Sequence, residues 1–205
     1  MEEANRRIEE WVRRGDDDIM LNLYNLDLTS LPESIYKLSS FKLSLKHLDL
    51  RNNKLTSLPE RFSQLSSLKY LWLNNTNLTS LPESISQLSS LQQLTLASNN
   101  LTSLPESIGQ HSYLRYIVLI NNKLTSLPES FGKRSLLSLS LWLSDNKFLW
   151  HSNYLYNPNC NAWYNYKILI KLQRRQKNIT KLKLRKLLLS KGLYNDIIGV
   201  VLKRI

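Results

Sequence analysis

The chain has 205 residues, with 28 Lys and Arg against 16 Asp and Glu, one Cys, five Gly and six Pro. At 42% hydrophobic and 21% charged residues it is built like a folded domain, and its length bounds it to one or two domains; neither a disordered chain nor a disulfide scaffold fits. The net charge of +12 is uneven: residues 1–148 hold 16 basic and 15 acidic residues, and residues 149–205 hold 12 basic residues and one acid, Asp196.

Residues 1–18 open with an amphipathic helix. Ala4, Ile8, Trp11 and Val12 share one face at helical spacing. Glu2 and Glu3 crowd its start and Arg13 and Arg14 its end, as the helix dipole prefers, and Gly15 terminates it. This start is too densely charged for a secretion signal. Nowhere does the chain approach the roughly 20 apolar residues of a membrane-spanning helix. The expected role of the helix is to cover the core that follows.

Residues 19–148 are repetitive. The string LPE[SR][IF] begins at Leu31, Leu58, Leu81, Leu104 and Leu127, at spacings of 27, 23, 23 and 23. The first spacing holds four extra residues, around Phe41, Lys42, Leu43 and Ser44. Between the LPE strings runs LxxLxLxxNxL: Leu45, Leu48, Leu50, Asn53 and Leu55 in one copy, Leu91, Leu94, Leu96, Asn99 and Leu101 in another. Degenerate copies open the series at Leu21 and close it at Leu141, the last one residue out of step. Six strand passes follow. Alternating leucines of LxL point to one side of a short strand, and stacking joins those edges into one core. Proline fixes φ at the return arc, which predicts short 3₁₀ turns there. Asn53, Asn99, Asn122 and Asn146 carry both donor and acceptor for buried bends. Thr76 breaks that ladder and Leu26 replaces its first member, so looseness is expected at both.

These motifs are similar to those of the leucine-rich repeat family over about residues 19–148, and the LTSLPESIxxLSSL unit resembles intracellular Scribble- and Roco-type repeats; such units also occur in bacterial effectors and large DNA viruses. The resemblance implies an α/β solenoid with a parallel concave sheet, an N-terminal capping helix and a mostly helical C-terminal segment. It implies a protein partner, no enzyme activity and no cofactor. Extracellular members usually carry disulfide-bonded caps; with Cys160 alone, a cytoplasmic location is expected.

Strand residues between the leucines face the concave side. The columns run Lys46, Lys69, Gln92, Arg115; then His47, Tyr70, Gln93, Tyr116; then Asn22, Asp49, Trp72, Thr95, Val118, Trp142; then Tyr24, Arg51, Asn74, Ala97, Ile120, Ser144. Lys46, Asp49, Arg51, Lys69, Tyr70, Trp72, Arg115, Tyr116, Val118 and Trp142 form the candidate partner-binding set, because Trp, Tyr and Arg concentrate binding energy. Trp142 has a rival role beneath the C-terminal cap. The face is small: six strands span roughly 24 Å and five residues of strand roughly 16 Å, about 400 Å² against about 800 Å² per partner in a stable interface. Weak binding or help from loops is expected.

Residues 149–205 divide into an aromatic, Asn-rich cap with Trp150, Tyr154, Tyr156 and Trp163, then helices over about 164–190 and 193–204. Lys171, Arg174, Arg175, Lys177, Lys181, Lys183, Arg185 and Lys186 are candidate polyanion contacts, for nucleic acid or an anionic membrane. The stretch from Leu172 also resembles an IQ motif, with Asn178 where Gly is expected, which implies a calmodulin-like partner. Residues 192–205 resemble the start of an F-box, with Tyr194 in place of its Pro, which implies an adaptor for ubiquitin ligation.

Catalytic and metal sites are not expected. His47, His111 and His151 are scattered, no Cys or His pair has metal spacing, and no phosphate-binding glycine loop occurs. Cys160 is followed by Asn161 and Ala162, not by the CxD of effector ligases with similar repeats.

Overall fold

The computed structural model describes residues 1–15, 20–38, 45–133 and 139–148, together with Asn178. The chain divides into two compact units, Met1–Asn165 and Tyr166–Ile205. The cap aromatics, Cys160, His151, the polyanion set Lys171 to Lys186 and the F-box-like end lie outside the described residues, as does the four-residue excess near Phe41.

Helix α1 spans Glu2–Arg14 and buries Ala4, Ile8 and Trp11, while Val12 is only half-buried. Gly15 ends it at φ 80°, a left-handed conformation that suits a residue without Cβ. The helix is tied to the repeats by Arg7 Nη1 donating to the Asn22 carbonyl at 3.2 Å and Ser34 Oγ donating to Asn5 Oδ1 at 2.6 Å. Arg6 and Arg7 bind the Glu3 carboxylate, and these charge-assisted bonds lower its pKa to about 2.

Six strands follow: β1 Met20–Asn22, β2 His47–Asp49, β3 Tyr70–Trp72, β4 Gln93–Thr95, β5 Tyr116–Val118 and β6 Ser140–Trp142. They form one parallel sheet in sequence order. Its register aligns Leu21, Leu48, Leu71, Leu94, Ile117 and Leu141 in one buried row. The longer first repeat and the out-of-step last one both keep this register.

The arc opposite the sheet returns through one short helix, α2 (Ser34–Lys37), and four 3₁₀ turns at Glu60–Gln64, Glu83–Gln87, Glu106–Gln110 and Glu129–Lys133. Pro59, Pro82 and Pro105 precede three of them with φ between −74° and −64°. The turns are laced together. Ser84, Ser107 and Ser130 each donate through Oγ to the backbone carbonyl of Glu60, Glu83 and Glu106 in the preceding repeat. Those same glutamates accept a backbone N–H from the next turn on their carboxylates. Where serine is replaced, Arg61 pairs with Glu33 and lies over the Tyr36 ring at 4.2 Å. Gly109 is required by close approach: a Cβ there would stand 2.7 Å from the Phe131 backbone nitrogen.

The asparagine ladder forms as its chemistry demands. Asn53 Nδ2 donates to the carbonyls of Leu23 and Leu50, and its Oδ1 accepts from the backbone of Leu26 and Leu28. Asn99, Asn122 and Asn146 repeat the pattern. At Thr76 the ladder is altered but not open. The fully buried hydroxyl donates within bonding distance of both the Leu73 carbonyl and Asn99 Oδ1. Thr76 thus bonds its own repeat and the next, and a threonine side chain lacks the length to bridge back as asparagine does. Asn25, Asn52, Asn75, Ser98, Asn121 and Asp145 hold positive φ just after the strands, a conformation that Asn and Asp tolerate well.

Candidate functional site

The strands place every second side chain on the concave face, and the register sets the columns. Asn22, Asp49, Trp72, Thr95, Val118 and Trp142 are consecutive neighbours across the sheet, as are His47, Tyr70, Gln93, Tyr116 and Ser140. All ten candidate partner-binding residues lie on described segments. They do not form one patch.

The first group gathers on β1–β3. His47 meets Tyr70 edge-on with ring centroids 4.6 Å apart and stands 6.0 Å from Trp72; Tyr70 and Trp72 are 6.3 Å apart. Beside them the Arg51 guanidinium lies between two rings, 5.6 Å from Tyr24 and 5.9 Å from Trp72. Asp49 holds it there. Its Oδ1 accepts from the Arg51 backbone nitrogen at 3.0 Å and from Nε at 2.9 Å, and its Oδ2 accepts from Nη2 at 2.6 Å. Asp49 is 1% exposed, so the expectation of a solvated contact residue is corrected: it is a buried positioning residue beneath Arg51. The carboxylate in turn raises the Arg51 pKa. The reason it sinks is local. Residues 49 and 51 share a strand face, and Asp49, short and set between Asn22 and Trp72 in its column, is covered by the arginine it binds.

The second group is the pair Tyr116 and Trp142 on β5 and β6, stacked with centroids 6.3 Å apart. They are 48% and 40% exposed. Val118 between them is half-buried. Strand β4 separates the groups with Gln92, Gln93, Thr95 and Ala97, none of them large and apolar or charged.

Lys46 and Lys69 are half-buried at one margin of the sheet, and Arg115 is exposed in the same column. Burial, then the charges of Lys46 and Lys69, hold the His47 imidazole below its usual pKa of 6.5. This favours the neutral imidazole of His47. His111 lies elsewhere, 5% exposed, with Nε2 2.7 Å from the Leu88 carbonyl. It fills a core position that Leu65 and Leu88 fill in earlier repeats. That column alignment was the available signal for its structural role. Among the described residues no cluster of His, Cys, Asp or Glu has the makings of a metal site, and no helix is long and apolar enough to cross a membrane.

Two family descriptions match the chain: "Leucine-rich repeat region" at residues 61–150 and "Leucine Rich Repeat" at residues 44–65. No curated protein matches. Among solved structures, a leucine-rich repeat protein of Leptospira interrogans is 34% identical over 70% of this chain and 41% of its own, with a TM-score of 0.57. YopM from Yersinia enterocolitica is 32% identical over 71% of this chain and 28% of its own, with a TM-score of 0.54. The chain thus spans less than half the length of either protein. Repeat spacing, sheet register, asparagine ladder and both descriptions agree: the chain belongs to the leucine-rich repeat proteins.

Proposed function

We propose that the chain is a non-enzymatic binding module that takes a partner protein on its concave face. The leucine-rich repeat fold is generally a protein–protein interaction module. The observation that supports this chain's use of the concave face is the exposure of Tyr116 and Trp142, which are large aromatic side chains left uncovered on a rigid sheet. Trp72, Tyr70 and Arg51 extend the contact toward β1. The test is affinity purification with the wild-type chain beside a Trp72→Ala, Tyr116→Ala double variant. A partner retained by the wild type and lost by a folded variant supports the reading; equal retention rejects it.

A second reading rests on composition alone: residues 149–205, with 12 basic residues and one acid, suit nucleic acid or an anionic membrane. Salt separates the two. Phosphate-driven binding collapses between low and moderate salt, whereas an aromatic contact persists.

A further inference from the structure

The concave face is uneven in a way that describes its occupant. Among the described residues of its columns the cations are Lys46, Lys69, Arg51 and Arg115. The one acid, Asp49, is buried and has both oxygens engaged by Arg51. The face therefore offers donors and positive charge with no competing carboxylate.

Arg51 is prepared for a planar anion. Two of its nitrogens are fixed by Asp49, two rings flank it, and its side chain remains 44% exposed. The remaining N–H donors stand in a rigid fork, the geometry that a carboxylate fills. Holding the fork in the free protein removes part of the ordering cost of binding. Further along the sheet, past polar β4, the Tyr116–Trp142 pair offers an apolar surface with no charge of its own. Strand β2, which leads into Arg51, and β5 are three strand steps apart, about 14 Å. An extended peptide covers about 3.3 Å per residue, so about four residues bridge that gap.

Resting on the concave-face reading, we infer that the partner contributes an acidic, extended segment that crosses the strands. It sets a carboxylate on Arg51 and, about four residues away, an apolar side chain on Tyr116 and Trp142. A nucleic acid fits less well. The margin cations are interrupted by Gln92, so no continuous stripe follows a phosphate backbone.

The test uses the intact 205-residue chain. Random dodecapeptides displayed on phage are selected in parallel on the wild type, on Arg51→Ala, on Arg51→Lys and on a Tyr116→Ala, Trp142→Ala variant. All four keep residues 149–205, so capture by that basic segment is common to them and cancels. The expected wild-type enrichment is Asp or Glu about four residues from Phe, Trp or Leu. Synthetic peptides of that pattern should bind the wild type about tenfold tighter than either Arg51 variant. Arg51→Lys keeps the charge and loses the fork, so equal binding by it overturns the role of Arg51. Enrichment of neutral or basic peptides that still depends on Tyr116 and Trp142 overturns the acidic segment and leaves the concave reading standing. If no selected peptide discriminates among the four, both readings are overturned. Displacement of the peptide by poly(dT) with the same Arg51 dependence overturns the assignment to protein.

Discussion

The two ends of the concave sheet share a backbone and differ in what stands on it. At the β1–β3 end a buried acid fixes an arginine between two rings, and a histidine packs against Tyr70 and Trp72. At the β5–β6 end two exposed rings stack on each other. On the proposed reading the first arrangement selects by geometry, because its donors point one way. On the same reading the second selects only for an apolar surface. Beneath both, the asparagine ladder and the leucine row are nearly identical from repeat to repeat. Frame and specificity are thus separable here: one is carried by the repeated positions, the other by the positions the repeat leaves free.

The largest effect should come from removing the frame that both ends share. Asn99→Ala deletes a side chain that donates to Leu73 and Leu96 and accepts from Thr76 and Leu78, and leaves buried polar groups without partners. At 1–3 kcal/mol per unsatisfied group, a loss of about 4 kcal/mol is expected. Urea unfolding would show it, with both ends melting together. Separate melting would mean that the ends are independent.

Asp49→Asn should act on one end only. It removes the charge under Arg51 but keeps an acceptor for the Arg51 backbone nitrogen. Discounted for the exposure of Arg51, the cost is about 2 kcal/mol. The Trp72 indole resonance should move and that of Trp142 should not. Tyr116→Ala is the mirror experiment. Loss of the stacked partner should cost about 1 kcal/mol and shift only Trp142.

The smallest effect is electrostatic. The folded-state pKa of His47 lies below 6.5, so well above that pH both folded and unfolded states are neutral. As pH falls through 6.5 the unfolded state takes up the proton first, so stability declines slightly toward pH 5. NMR titration of His47 should give a midpoint below 6.5. Lys69→Glu should raise it, because a repelling charge becomes an attracting one. No rise would leave burial and the Lys46 charge as the causes.

Much of this was legible in the spacing. A 23-residue period with alternating leucines admits one stacked register, and that register puts Lys46, Lys69 and Arg115 in one column and Trp72 and Val118 in another. The Asp49–Arg51 pair was half-visible, since residues two apart share a strand face. Its burial was not, because that depends on Tyr24 and Trp72 from neighbouring repeats closing over it. The serine–glutamate lacing of the outer arc went unread, though the recurrence of PES, broken only at Arg61, was its trace. Thr76 was expected to loosen the ladder; its hydroxyl instead bonds to Asn99.

By itself the sequence determined the periodic frame: which side chains go inward, which turn, and which stand in rows on the concave sheet. Periodicity is a property of the chain, and a parallel strand alternates its side chains whatever its neighbours are. Only the tertiary structure decided how the outward residues group, with Arg51 locked at one end, Tyr116 on Trp142 at the other, and a polar strand between. Those contacts join residues about one repeat apart, where ring size, charge and distance across the sheet, rather than position in the chain, choose the partner.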